Sequence, residues 1–257
     1  MLVAITRPVS ASLAQCELTH LLREPIDVAR ASQQHEAYEA ALGSLGVKVV
    51  RAAAVPELPD AVFVEDMAIV LDEVAIMTRP GAASRRPEVP GVADVLQKYR
   101  PLVWMKEPAT LDGGDVLRIG KTIYVGESSR TNREGIHQLG ELAKHAGDYR
   151  VVPILLRGCL HLKSAVTQIA DNLVLVNPDW LSSDLLPDIE PLEIDPTEPY
   201  AANALRIGET LIYPSHFPRT HERLLKRGLR VRTVDCGELA KAEGAVTCCS
   251  ILFDSLR

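Results

Sequence analysis

The segment Leu117-Arg118-Ile119-Gly120 returns as Leu205-Arg206-Ile207-Gly208. The two copies run on as Lys121-Thr122-Ile123-Tyr124 and Glu209-Thr210-Leu211-Ile212-Tyr213. Each reads as strand, Gly-containing turn, strand. Two looser copies flank Asp72-Glu73 (67–71 and 74–78) and Asp171-Asn172 (166–170 and 173–176), so hairpins turn near residues 72, 120, 171 and 208. A helical pattern and a short strand follow the first (91–100, 102–105), the second (131–146, 151–156) and the fourth (221–227, 231–234). The third leads into 178–199, whose five Pro and seven acidic residues predict a mostly irregular surface segment. The ends supply a split fifth copy: strands 246–253 and 2–6, helix 28–45, strand 47–51. A chain made of one repeated unit packs each copy against its neighbours in the same way. Five ββαβ-type repeats, with the termini sharing one, therefore predict an α/β fold, a five-bladed α/β propeller with pseudo-fivefold symmetry, as one domain over 1–257. Closure would leave no sheet edge unpaired. The alternative is an open α/β sheet with accidental similarity.

Composition narrows the function. A net charge of −6, from 28 basic and 34 acidic residues, argues against a duplex-binding surface. No apolar run approaches the ~20 residues of a membrane span, and the first ten residues lack a signal-peptide layout. Five Cys without CxxC spacing point to a reducing, cytoplasmic setting rather than a disulfide framework or zinc knuckle. The stretch 114–122 imitates a phosphate-binding loop, but its glycine spacing is wrong and a hairpin stands where a helix should start. Cys159-Leu160-His161 has no second pair at ligand spacing, so no metal is expected beyond adventitious soft-ion binding at Cys248 and His161.

The lines leading into the five hairpins break the apolar pattern at the same phase. They read Val64-Glu65-Asp66, Leu111-Asp112-Gly113-Gly114-Asp115, Leu160-His161-Leu162-Lys163, Ala202-Asn203 and Val246-Thr247-Cys248-Cys249-Ser250. Taken singly, Cys248 reads as inert core, His161 as a structural histidine and Glu65-Asp66 as a surface pair. In a cyclic repeat, however, equivalent positions converge at one end of the axis. Cys with His forms a nucleophile pair, in which an imidazolium neighbour is expected to lower the thiol pKa. Carboxylates beside the pair would hold a planar cation such as a guanidinium. The chemistry suggested is substitution at a guanidinium carbon.

With these residues in view, the chain resembles the dimethylarginine dimethylaminohydrolase family of guanidine-modifying, pentein-fold enzymes. The resemblance rests on Leu58-Pro59-Asp60, Phe63-Val64-Glu65-Asp66, Thr78-Arg79-Pro80-Gly81, Ser84-Arg85-Arg86, 111–117, Ser129-Arg130-Thr131-Asn132, 160–164, Tyr200-Ala201-Ala202-Asn203 and 246–252, in family order along essentially the whole chain. It implies a five-bladed propeller and hydrolysis of Nω-methylated arginines to citrulline plus dimethylamine or methylamine. No cofactor is implied, and the partner is the small-molecule substrate, with a monomer or homodimer, no nucleic acid and no membrane. Cys248 matches the nucleophile, Cys249 a non-catalytic neighbour, His161 the general acid/base and Asp112 its orienting carboxylate, where some bacterial members carry Glu. Glu65 and Asp66 match residues around the guanidinium. Asp60 and the backbone carbonyl of Leu18 match contacts to the α-amino end, and Arg85 and Arg130 match a clamp on the α-carboxylate. Ala242 matches a backbone contact where relatives carry a larger side chain, and the segment around Leu18 matches a lid. Rival readings are an arginine deiminase, which usually has an inserted helical domain, and an agmatine deiminase, whose substrate has no carboxylate for the two arginines. A third is the non-catalytic ribosome anti-association factor on the same propeller.

Overall fold

The computed structural model describes residues 1–257 except 157, 183, 185, 187, 256 and 257. The chain starts with β1 (Leu2–Thr6), α1 (Val28–Ser44) and β2 (Lys48–Arg51), with β2 pairing parallel to β1. Asp27 caps α1 by accepting from the Arg30 amide. The first complete unit follows as β3 (Ala68–Val70), β4 (Ala75–Met77), α2 (Val89–Leu96) and β5 (Leu102–Trp104). The second is β6 (Val116–Ile119), β7 (Thr122–Glu127), α3 (Arg133–Gly147) and β8 (Arg150–Leu155). The short α4 (Leu162–Ala165) opens the third, β9 (Val166–Ala170), β10 (Leu173–Val176) and β11 (Glu190–Glu193). The fourth is β12 (Leu205–Ile207), β13 (Thr210–Pro214), α5 (Pro218–Lys226) and β14 (Arg230–Val234). After α6 (Gly237–Ala240), β15 (Ile251–Asp254) pairs antiparallel with β1.

Five three-stranded sheets result, each with an antiparallel pair and a parallel third strand. Crossovers through α1, α2, α3 and α5 are what a parallel third strand requires. All four predicted hairpins are present, and the turn glycines Gly120 and Gly208 have φ near +59° and +58°, a conformation glycine adopts without cost.

Two expectations differ. Segment 178–199 contains β11, which lies parallel to β10; of the rest of that segment, residues 183, 185 and 187 lie outside the described residues. Glu-Pro-Leu-Glu carries almost no strand pattern because it forms an outer edge, where Pro191 needs no ladder bond. The predicted strand 246–253 is observed only as Ile251–Asp254, because 246–249 folds as turns.

Each of five apolar clusters straddles two sheets. Ile251 and Val3 pack with Met67 and Ala75. Ile69 and Ile76 meet Val116 and Ile123. Leu117 and Tyr124 meet Val166 and Val174, Ile169 and Leu175 meet Leu211 and Tyr213, and Ile207 and Ile212 meet Ala4 and Leu42. Among the described residues, no helix is long and apolar enough to cross a membrane.

Candidate active site

Each sheet's first strand is preceded by a turn, and those turns carry the polar residues. Glu65 and Asp66 lie in a 3-10 turn (Val64–Met67), Gly113–Asp115 forms another, and His161 is the residue before α4. Asn203 directly follows the turn ahead of β12, and Cys248 sits in the turn ahead of β15. These turns bond to one another across the sequence. The Gly114 amide donates to Asp66 Oδ1 (2.8 Å), the Leu162 amide to Asp115 Oδ1 (3.0 Å) and the Glu65 amide to the Cys248 carbonyl (3.2 Å). Asn203 accepts from the Thr247 amide (3.1 Å) and donates to its hydroxyl (3.0 Å). Residues far apart in the chain are thereby fixed within one polar layer.

His161 Nε2 lies 3.2 Å from Asp112 Oδ2, and Asp112 Oδ1 accepts from the Gly81 amide (2.9 Å). A Cβ on Gly114 would fall 2.6 Å from His161 Nδ1, so glycine there serves close approach to the imidazole. Burial by itself would lower the His161 pKa. The carboxylates of Asp66, Asp115 and Asp112 outweigh it and push the value up to about 9. The ring is therefore an imidazolium near neutrality, with both nitrogens donors.

Cys248 is half-buried, whereas the other four thiols are buried. Its thiol is pushed up to about 12, by burial first and then by Glu65 and Asp66. Where an imidazolium neighbour is expected to depress it, burial and the two acids instead override the opposing Lys163 charge and the Ala245 backbone hydrogen bond. A cationic guanidinium placed between thiol and acids reverses the second contribution.

Cys248, His161, Asp66, Asp60, Arg85, Arg130 and Ala242 line one cavity. Asp112, Glu65 and Leu18 do not. Asp112 stands behind His161, buried. Glu65 pairs with Lys163 (2.5 Å), accepts from Thr247 (2.9 Å) and lines a different cavity with Lys163 and Thr247. Leu18 packs against an apolar cluster, while its neighbours reach the site: Glu17 lines the cavity and its amide donates to Asp60 Oδ2 (3.1 Å), and Thr19 Oγ1 accepts from Arg130 (3.3 Å). Arg85 is buried and spends its donors on Asp66 (2.5 Å), both Glu88 oxygens and the Asp60 and Phe63 carbonyls. Arg130 donates to Thr19 and approaches Asp112 (3.7 Å), so it keeps donors for a second carboxylate. Arg130→Ala is accordingly expected to raise KM for an amino-acid substrate by about tenfold or more with a smaller change in kcat, as losing a charged hydrogen bond does; steady-state kinetics check it.

The sequence reading passed over Glu243, which holds the segment around Leu18. Its carboxylate accepts from three consecutive amides, Thr19 (2.9 Å), His20 (2.5 Å) and Leu21 (2.7 Å), and its φ of +58° is unusual for a side-chain-bearing residue. Nothing in sequence marks a lone Glu before a glycine as such a latch. Glu243→Ala should raise KM several-fold and speed proteolysis after Arg23 while the far-ultraviolet spectrum stays unchanged. Asp115 supports the His161 turn through the Leu162 amide and is pushed up to about 6 by burial.

Among the described residues, Asp66, Asp112 and His161 offer three ligand atoms within 4.8 Å of one another. Those atoms already serve one another, Arg85 and the Gly81 and Gly114 amides. The set is a charge-compensated network.

A family model described as N,N dimethylarginine dimethylhydrolase, eukaryotic, matches residues 17–188. An N(G),N(G)-dimethylarginine dimethylaminohydrolase of Streptomyces coelicolor is 42% identical over 255 residues, 98% of this chain and 97% of that protein. The protein of that name from Pseudomonas aeruginosa is 36% identical over 252 residues, covering 97% and 98%. A solved structure of the Pseudomonas aeruginosa protein complexed with citrulline superposes with a TM-score of 0.90 at 33% identity, covering 98% of both chains. The N-terminal domain of ArgZ, a cyanobacterial arginine dihydrolase, shares the fold with a TM-score of 0.87 at 18% identity, covering 99% of this chain and 98% of that one.

Proposed function

The chain belongs to the dimethylarginine dimethylaminohydrolase family, and we propose from that premise that it hydrolyses Nω-methylated L-arginines to L-citrulline plus dimethylamine or methylamine. The observation that carries the reading is the shared cavity of Cys248, His161 and Asp66.

The substrate guanidinium binds against Asp66 and the neighbouring acids, and its charge lets Cys248 release its proton to solvent. The thiolate attacks the guanidinium carbon, forming the C–S bond. His161, protonated and held by Asp112, gives its proton to the departing amine as the C–N bond breaks, leaving a thiouronium. The now neutral imidazole takes a proton from water, which attacks the same carbon. The C–S bond breaks, the departing thiolate takes the hydroxyl proton of the adduct, citrulline leaves with Cys248 and the His161 imidazolium restored, and the freed amine takes up the proton released to solvent. One water is consumed and one protonated amine released. Arg130, with Arg85 behind it, clamps the α-carboxylate, while Asp60 and the backbone at Leu18 and Ala242 hold the α-amino end. The segment around Leu18, as a lid, keeps water out of the first step.

The five sheets act in this reading as blades of one propeller domain over 1–257, closed with β15 and β1 in the same blade. Support comes from the five apolar clusters, which link each sheet to the next and the last back to the first. The setting is cytoplasmic, the partner a small molecule, the assembly a monomer or homodimer, and no cofactor takes part.

A citrulline-release assay tests the reading. Asymmetric dimethylarginine and monomethylarginine should turn over at least about tenfold more efficiently (kcat/KM) than arginine or agmatine, the scale of one well-placed contact. Preference for arginine would point to deimination, and no release from any of the four would return the fold to a binding role.

A further inference from the structure

We propose that the site also takes Nω-alkyl arginines with chains longer than methyl, housing the tail in an apolar cavity beneath residues 20–24. The proposal rests on the methylarginine reading above. This cavity, about 330 Å³, lies within the ~300–1,000 Å³ range of small-ligand pockets. It adjoins the substrate cavity, since Leu160, Glu243 and Gly244 line both.

These shared residues form the wall between the two. Gly244 contributes no side chain, because a Cβ there would fall 2.1 Å from the Phe63 ring. Glu243 is committed to the lid amides. Among the described residues, that leaves the half-buried Leu160 as the side chain of the wall free to change rotamer. Leu160 lines the substrate cavity together with His161, the group that protonates the departing amine, and the proposal places the substituent on that nitrogen on the Leu160 side.

The chemistry of the cavity suits an uncharged tail. Leu21, Leu22, Pro214, Phe217 and Ala240 supply apolar surface. Lys241 at its border is engaged by Glu238 (2.8 Å) and the Pro25 carbonyl (3.1 Å), and burial keeps His216 neutral. Leu22 at the lid is 90% exposed, an apolar side chain with no packing partner until something occupies the space beside it. The reaction itself is unchanged: one water is consumed, the C–N bond to the alkylamine breaks, and citrulline and the protonated alkylamine leave.

Each methylene moved into dry apolar surroundings is worth about fourfold in affinity, offset in part by ordering of the chain and of Leu160. The experiment compares Nω-methyl- and Nω-butyl-L-arginine in calorimetric binding to the Cys248→Ser protein and in citrulline release by the intact enzyme. Butyl is expected to bind and turn over within about tenfold of methyl, and Ala240→Phe, which fills the cavity away from the reacting atoms, should weaken butyl at least about tenfold while methyl stays within about twofold. Ala240→Leu gives the same readout with less added bulk. Butyl more than about tenfold weaker than methyl in the unfilled protein, or parallel loss of both in the filled one, overturns the proposal. Absence of methylarginine binding and turnover would instead sink the reading of the site on which it rests.

Discussion

Cys248→Ser should lose citrulline release by about four orders of magnitude or more, the scale on which removing a covalent nucleophile acts. The alcohol is a far weaker nucleophile than the thiol it replaces, and the acids around position 248 that hold the thiol up at about 12 also oppose an alkoxide. Cys249→Ser offers the matched control. Its sulfur is buried at 1% exposure, donates to the Ala245 carbonyl and packs with the apolar cluster around α1. Replacing it should cost stability of about 1–2 kcal/mol, the range for a buried group made more polar, and leave most of the rate. Comparable losses of rate from both variants would undo the assignment. Alkylation gives an independent readout: Cys248 is the half-buried thiol among five, so iodoacetamide should reach it first. Accessibility then sets the selectivity, and labelling should be slow near neutrality and quicken with pH.

How much of this was legible in the sequence depended on which kind of signal each residue leaves. The hairpins around 72, 120, 171 and 208 were legible because strand alternation and turn glycines act locally. Glu190–Glu193 was not, because an outer edge strand obtains its ladder from one neighbour and needs no apolar face. The turns that carry Glu65, Asp66, His161 and Cys248 were legible through their common phase, which survives even though the local backbone is neither strand nor long helix. Their protonation was not, because it depends on summed fields from groups that meet only on folding. Asp112 and Asp115, three residues apart, show this: one faces the imidazole and the Gly81 amide, the other a hydroxyl pair and the Leu162 amide. The Glu243 latch and the spent donors of Arg85 depend likewise on contacts that no spacing encodes.

His161→Gly should stay folded and fall by about three orders of magnitude or more in kcat, the upper part of the range for losing a positioned acid and base. The two chemical steps need opposite forms of this ring, imidazolium for amine departure and imidazole for water attack, so no fixed charge substitutes for it. The intact enzyme should lose activity as pH rises through about 9, where the proton destined for the amine is gone. The same proton has a stability signature. Because the folded-state pKa is raised above the ordinary 6.5, its contribution is complete below that value and is lost as pH climbs through about 9. Denaturant midpoints measured from about pH 6 to 10 should therefore decline more steeply for the intact protein than for His161→Gly. Parallel declines would mean that Asp66, Asp112 and Asp115 do not hold a proton on His161. Then the acid for amine departure must be sought elsewhere, even if the variant is inactive.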